Sequence, residues 1–461
     1  MIPERVPNHI GGHDEPAVLG EWLDKHRPAD GSLLCRVARS GEEDVSRAVA
    51  AARTAQPSWA ARTVVSRGDM CREVALALRE QREELSQAVA AETGKSLELA
   101  RGETDAAIEM GFFMAGEGRR FYGRTTTASI EHRTVMSVRQ PLGVAGLLIS
   151  FTTPRPNVAW KAFPAILCGN ACVLKPSEHA PASAHHFATL CCKVGVPDGV
   201  LNVVQGLGPE AGAALVEHPD VDLVSFTGSA ETGRRVNEAA GRRLAKVCLE
   251  LGGKNALVVC DDADLDGAVC WALASAFSNA GQRCAAASRI VVFDSVYDAF
   301  RERFVAGAAE YDAGPVISEA AAGRLVAAGA RRLDRPGYWV EPTVLEGVAV
   351  DADVSCAELF GPVTILFRVA GFGEALEVVN DSPYGLTAAI HTASVHRAMR
   401  FAEEARAGVV VVNGGTHGSE PHMGFGGVKA SGTGWREAGV EALDVYSDWK
   451  YVNLITDPAQ A

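Results

Sequence analysis

Three features are missing from this chain of 461 residues, and each absence narrows what it can be. None of its 11 cysteines forms a C-x-x-C pair, which argues against a zinc knuckle or a dithiol redox motif. No run is long and apolar enough to span a bilayer. Basic charge is not in excess: 44 Lys and Arg against 57 Asp and Glu leave a formal charge of −13, which disfavours nucleic acid or an anionic membrane as a partner. The opening stretch MIPERVPNHIGGHDEPAVLG has no basic segment followed by an apolar one and does not read as a secretory signal. The cysteines fall on apolar segments such as ILCGNACVL and KVCLEL, and the adjacent Cys191 and Cys192 read as core residues. That thiol usage suits a reducing, cytoplasmic setting. Internal repeats and low-complexity linkers are absent too.

What is present is ordinary for a globular protein. Hydrophobic residues make up 47% and charged residues 22%, and the length suggests two or three domains. Residues 42 to 120 carry apolar positions at helical spacing, interrupted at Gly94. Residues 125 to 141 change to short β-branched stretches and predict a small antiparallel ribbon. From residue 143, short continuous apolar runs (GVAGLLIS, ACVLK, LNVVQG, VDLVSFTGS, NALVVC) alternate with helical stretches. Strands without polar alternation are buried on both faces, so a parallel α/β sheet is expected. A second strand and helix series follows from about 289 to 412, and the tail ALDVYSDWKYVNL predicts a β-strand.

Several stretches stand out chemically. VVQGLGPEAG sets Gly206, Gly208 and Gly212 after a strand, but its spacing departs from the dinucleotide fingerprint and a tight turn explains it. In SFTGSAETGRR, Thr227, Gly228 and Ser229 open a helix, which suits a phosphate at its N-terminus or simple capping equally well. VLKPSEHAP places Lys175, Ser177 and Glu178 just past a strand, either in a ligand site at the carboxyl edge of a parallel sheet or in an ordinary solvated loop. CLELGGKNALVV holds Glu250 between Leu249 and Leu251, which taken alone reads as a surface glutamate at a strand end, or else as a buried carboxyl of raised pKa that suits a general base. SNAGQRCAAASR presents Cys284 behind a Gly-Gln-Arg turn, either a small buried hydrophobe or a nucleophile. His417 and His422 in GGTHGSEPHMGF read as loop residues, since no third metal ligand accompanies them.

The ordered set FTGS, ELGGK, GQRC, ELFGPV and NDSPYGLTAAI, with ETGK before it and FGGVKASGTGWREAG after it, resembles the aldehyde dehydrogenase superfamily over nearly the whole chain. The resemblance implies that Cys284 attacks an aldehyde to give a thiohemiacetal. Hydride transfer to a nicotinamide then leaves a thioester, which Glu250 hydrolyses with an activated water. It implies that Lys175, Ser177 and Glu178 hold the adenosine ribose, and that Ser229 and its helix hold the pyrophosphate. Gly228 and Gly233 would permit close backbone approach, Leu251 would touch the cofactor, Glu358 would bind the nicotinamide ribose and Phe360 would lie near the ring. Glu178 disfavours a 2′-phosphate by repulsion, so NAD is favoured and NADP remains open.

One position departs from the family pattern. In ISFTTPRPNVAWKAFPA, Thr152 stands where relatives carry the asparagine whose amide helps bind the oxyanion. Three readings stand open: Thr152 donates instead, Asn157 substitutes, or catalysis is weak or lost. If residues 153 to 166 are helical, Thr153, Asn157 and Trp160 share a face lining the substrate tunnel, which predicts a wider or more polar tunnel. Arg155 and Arg283 are either attractors of an anionic substrate or structural. The expected architecture has a Rossmann-type coenzyme domain (1–122 and 142–252), an α/β catalytic domain (253–439) and an oligomerisation ribbon and tail (123–141 and 440–461). The ribbon is expected to pair with a neighbour's C-terminal strand, giving a homodimer or homotetramer. Two alternatives to the hydrolytic dehydrogenase are a non-catalytic relative, and a dehydrogenase that passes its acyl group to coenzyme A.

Overall fold

The computed structural model describes residues 2–327 and 329–456; residues 457–461 of the predicted tail, like positions 1 and 328, lie outside them. The helical periodicity of the N-terminal third becomes four helices, Glu42–Ala60, Val64–Glu80, Arg82–Thr93 and Leu97–Glu117. Gly94 ends the third with φ +82°, the left-handed geometry that glycine tolerates, and Ser96 caps the fourth by accepting from the Leu99 N–H. Val74, Leu78, Ile108 and Met114 from these helices pack with Phe163, Ile166 and Leu174 in one core.

The apolar runs form two sheets. The first has seven strands, ordered Lys246–Glu250, Leu223–Thr227, Val144–Leu148, Ala171–Lys175, Leu201–Val203, Asn8–Ile10 and His13–Glu15. The first five are mutually parallel, and the two N-terminal strands close the edge antiparallel. The chain builds outward from Val144–Leu148 in one direction, then returns to add Leu223–Thr227 on its other side. The carboxyl ends of those two strands therefore flank a topological switch point, where open α/β sheets bind ligands. The second sheet has six parallel strands, ordered Thr343–Glu346, Val363–Val369, Ala287–Phe293, Asn255–Val259, Thr387–His391 and Val409–Val412. Every residue of Val144–Leu148, Ala171–Lys175 and Asn255–Val259 is buried, as the lack of alternation predicts.

The predicted ribbon is present as Arg124–Thr127 and Arg133–Pro141, antiparallel. Its expected partner needs correction. Strand Ser447–Ile455 of the same chain pairs along the whole of Arg133–Pro141, from Ser447 opposite Pro141 to Ile455 opposite Arg133. The C-terminal strand leaves the short helix Ala442–Tyr446 beside that edge, so its own chain satisfies the ladder first. The free edges are now the outer sides of Arg124–Thr127 and Ser447–Ile455. A second correction concerns the cysteine pair: Cys191 is core, but Cys192 is exposed at the end of helix Pro181–Lys193. No helix among the described residues is long and apolar enough to cross a membrane.

Candidate active site

Two cavities meet in the wall formed by Thr152, Thr227, Glu250, Leu251 and Cys284. The larger, about 550 Å³, runs from Lys175, Ser177 and Glu178 past Gly228, Ser229 and Thr232 to Glu358 and Phe360. The second, about 410 Å³, is lined by Thr153, Pro156, Asn157, Trp160, Arg283, His417 and Phe425 among others. Both sulfur and carboxyl candidates thus face the same junction.

Cys284 owes its position to an unusual approach of the chain. Asn279 and Ala280 adopt left-handed backbone (φ +57° and +54°), and Gly281 follows at φ +64°. A Cβ on Gly281 would come 2.2 Å from the Gly361 carbonyl oxygen, so that position requires glycine. Left-handed alanine is strained and persists only where the surroundings impose it. Asn255 imposes part of it: its amide donates to the carbonyls of Cys284 (2.7 Å) and Ala286 (2.9 Å), while its oxygen accepts from the Thr387 N–H (3.0 Å). Gln282 is fixed through its side-chain oxygen, which accepts from the Ile317 N–H (3.0 Å). Burial, with the Glu358 and Glu250 carboxyls nearby, pushes the Cys284 thiol up to about 12. Arg283 opposes that shift.

Glu250 ends strand Lys246–Glu250 and is held by the C-terminal segment. The Leu251 N–H donates to the Ser431 carbonyl (2.9 Å), and Glu250 bridges Gly432. Neither carboxyl oxygen finds a hydrogen-bond partner among the described residues. Burial raises its pKa well above the ordinary value, and Glu437 adds to the rise. Glu437 is itself paired with the buried Lys161, which also donates to the Ser225 hydroxyl (2.8 Å); Tyr446 donates to the same oxygen (3.1 Å). A Cβ on Gly426 would lie 2.6 Å from Glu250 Oε1, so glycine there leaves room for the carboxyl.

Thr152 is buried, its carbonyl accepting from Lys95 Nζ (2.9 Å) and Asn279 Nδ2 (3.2 Å). Thr153 precedes helix Pro154–Leu167, and its hydroxyl accepts from the Asn157 amide (3.2 Å). Thr153, Asn157 and Trp160 all border the second cavity, as their shared face predicts, and Trp160 packs at 5.7 Å from Phe425. Arg155 does not border it. Buried, it donates to the Ser183 carbonyl (3.0 Å) and contacts His186 (3.0 Å), which makes it structural. His417 borders the second cavity with its pKa pushed down to about 4 by burial and by Arg283, while His422 is exposed. No metal-ligand cluster occurs among the described residues.

The larger cavity suits a dinucleotide. Lys175 and Glu178 pair at 3.3 Å at one end, and Ser229 caps helix Ala230–Gly241 by accepting from the Thr232 N–H. The Thr227 hydroxyl is buried without a partner. At the other end Glu358 accepts from the Gly253 N–H (3.0 Å), and burial raises its pKa to about 7. Phe360 has φ +60° and stands edge-on to Phe151, ring centroids 5.9 Å apart. Gly233 does not border the cavity. A Cβ there would lie 2.5 Å from the Leu251 side chain, so its bareness makes room for Leu251, which does border it. Sequence reasoning missed Gly208, which also lines this cavity, along with Phe151, His179 and Arg324.

A thiol and a carboxyl of raised pKa lining one junction of a dinucleotide-sized cleft, at the switch point of a doubly wound sheet, fit an α/β oxidoreductase. The aldehyde dehydrogenase family model matches residues 17–452, and the chain belongs to that family. It is 35% identical over 466 residues to succinate-semialdehyde dehydrogenase [NADP(+)] of Escherichia coli, covering 94% of this chain and 96% of that one. It is 36% identical to alpha-ketoglutarate semialdehyde dehydrogenase of Haloferax volcanii, covering 96% and 98%. Among solved structures, betaine aldehyde dehydrogenase of Staphylococcus aureus in complex with NAD+ superposes with a TM-score of 0.94 at 32% identity, covering 98% of this chain and 95% of that one. The chain is accordingly an NAD(P)-dependent enzyme that oxidises aldehydes.

Proposed function

We propose that Cys284 is the nucleophile, that Glu250 is the base which hydrolyses the resulting thioester, and that Thr152 and the Cys284 N–H receive the oxyanion. The observation that carries this is the junction: Cys284, Glu250 and Thr152 border both cavities at once. An aldehyde entering by the smaller cavity would meet the sulfur there, and a water beside Glu250 would reach the same carbon. A nicotinamide dinucleotide, bound in the larger cavity, supplies the hydride acceptor. Lys175, Ser177 and Glu178 would hold its adenosine ribose, Gly228 and Ser229 its pyrophosphate, Leu251, Glu358 and Phe360 its nicotinamide end. Glu178 beside the ribose argues for NAD over NADP.

Thr153, Asn157, Trp160 and Arg283 would meet the substrate. Their polarity supports a short, polar aldehyde, in keeping with relatives whose names give semialdehydes and betaine aldehyde as substrates. The coenzyme domain would comprise residues 1–122 and 142–252, the catalytic domain 253–439. The three-stranded ribbon sheet would carry a homodimer or homotetramer, since Tyr451, Leu454 and Ile455 lie exposed on its edge strand. Free thiols support a cytoplasmic location.

The test is Cys284→Ala assayed with NAD+ and a panel of aldehydes: reduced cofactor should vanish while cofactor binding persists. Undiminished turnover would remove the proposal, and turnover that required coenzyme A would move the protein to the acyl-transferring branch.

A further inference from the structure

A third cavity, of about 220 Å³, lies beside the Lys175 and Glu178 end of the larger one. The two share Glu178, His179, Ile317 and Ser318 as a common wall. Lys25, on strand Trp22–His26, borders the third cavity and is itself buried. Its ammonium donates to the His26 carbonyl (2.8 Å) and joins no salt bridge among the described residues. The carboxylates bordering the cavity are taken: Asp24 pairs with Arg36 and Glu178 with Lys175. Nearby, Glu92 is held by the Ser183 hydroxyl and the Ala182 N–H. His179, whose own pKa burial lowers, adds no competing charge. Burial lowers the Lys25 pKa to about 8, with Glu92 and Cys35 opposing the shift. At pH 8 about half of the molecules carry an uncharged amine there, against roughly one in 300 for an ordinary lysine. Other lysines lack this combination. Lys254 is lowered as far, to about 8, yet borders a cavity of only about 10 Å³. Lys95, Lys161 and Lys175 are paired with carboxylates, Lys246 is held by the Asp444 and Ser447 carbonyls, and Lys193, Lys429 and Lys450 are exposed.

We infer that Lys25 is a second, reversible aldehyde site, at which a small aldehyde condenses with the amine and keeps the dinucleotide from seating. This rests on the function proposed above only for the placing of the cofactor. The nitrogen lone pair attacks the carbonyl carbon, the carbinolamine loses water, and a carbon–nitrogen double bond is left on Lys25. No oxidant or reductant is consumed, and water restores the amine. The cavity has room for a short aliphatic chain. The adduct presses on Glu178, which is proposed to hold the adenosine ribose. High aldehyde thus slows the enzyme in competition with NAD+.

The experiment traps the adduct. Propanal and cyanoborohydride, added at pH 8 without cofactor, convert the imine to a propyl-lysine that peptide mass mapping locates. The excess of free amine, offset by its lower basicity, predicts labelling of Lys25 at least roughly tenfold faster than of Lys193, Lys429 and Lys450. Saturating NADH, which fills the dinucleotide cavity without turning propanal over, should slow labelling of Lys25 at least roughly tenfold and leave the exposed lysines unchanged. In steady state, propanal should inhibit turnover of any better aldehyde in competition with NAD+. Lys25→Arg, which keeps the charge and has no free amine at this pH, should lose that inhibition while its uninhibited kcat stays within about twofold of wild type. Labelling of Lys25 no faster than of the exposed lysines overturns the inference. So does labelling that NADH leaves unchanged in a protein that still reduces NAD+, and so does propanal inhibition that is absent from the wild type or persists in Lys25→Arg. No protection by NADH together with no reduction of NAD+ by any aldehyde brings down the dehydrogenase function as well. Should the arginine variant fail to fold, the wild-type labelling and its protection by NADH decide alone.

Discussion

Replacing Thr152 by valine isolates the group that departs from the family's pattern. The backbone of Thr152 is fixed by Lys95 and Asn279, so the residue stays in the wall between the cavities whatever its side chain. Valine keeps the branched shape and removes only the hydroxyl. A hydrogen bond to a charged group contributes about 1.5–3 kcal/mol, so losing this donor from a developing oxyanion should lower kcat/KM roughly 10- to 150-fold. Thr152→Asn tests the converse. Its amide reaches further than a hydroxyl and should raise kcat above wild type. The assay is initial-rate reduction of NAD+ with one aldehyde, alongside a thermal melt to confirm that both variants keep the native shape. The competing donor, Asn157, is already committed to the Thr153 hydroxyl, so Asn157→Ala should act chiefly on KM. A valine variant within about twofold of wild type would refute the reasoning. A large loss of kcat in Asn157→Ala would transfer the role to that residue.

Three further outcomes follow from the electrostatics and packing. With the Cys284 thiol at about 12, roughly one molecule in 10,000 carries a thiolate at pH 8, so inactivation of the free protein by iodoacetamide should climb about tenfold per pH unit from about pH 7 to pH 10. A plateau near neutrality would contradict it. Glu250→Gln should release about one equivalent of reduced cofactor and then stall, with steady turnover down at least roughly 100-fold. The same variant should melt higher than wild type at pH 8. The raised pKa of Glu250 gives a penalty that is absent below its ordinary value of 4.5 and grows as pH rises towards the folded value, so the gain should fade by about pH 4. Gly252→Ala should raise KM for NAD+ at least roughly tenfold, because a Cβ there would sit 2.0 Å from a Glu358 oxygen; an unchanged KM would show that Glu358 does not meet the cofactor.

The residues proposed to carry the chemistry stand out in the sequence because their requirements are local. Cys284 announces itself by the glycine that lets the chain turn behind it, and Glu250 by a carboxylate in an apolar strand followed by two glycines. The two sheets were legible for the same reason, since strands buried on both faces drop their polar alternation. What stayed hidden depends on distant parts of the chain. Glu437 and Lys161 are 276 residues apart in sequence, and nothing at either position announces the other. Gly208 looked like part of an ordinary turn because its spacing breaks the dinucleotide fingerprint, yet the turn lies beside the cavity. Gly233 belongs to a conspicuous motif but serves Leu251 instead. The pairing of the ribbon with its own tail could not be read either, since an edge strand specifies a partner edge without specifying whose.

The junction of the cavities draws on three separate stretches, and the proposed mechanism makes the C-terminal segment indispensable. The first sheet supplies Thr227 and Glu250 at the carboxyl ends of neighbouring parallel strands, paired in register with each other. The second sheet places the Cys284 loop through Asn255, whose amide bridges that loop to strand Thr387–His391. Neither sheet alone fixes the surroundings of the Glu250 carboxyl. That falls to residues 426 to 437: Gly426 leaves the space, Ser431 and Gly432 tie down the backbone, and Glu437 raises the carboxyl's affinity for a proton. On the proposed roles, the base is complete only when this late segment has docked, and a chain ending before residue 426 would retain the loop that carries Cys284 while losing the groups that surround Glu250.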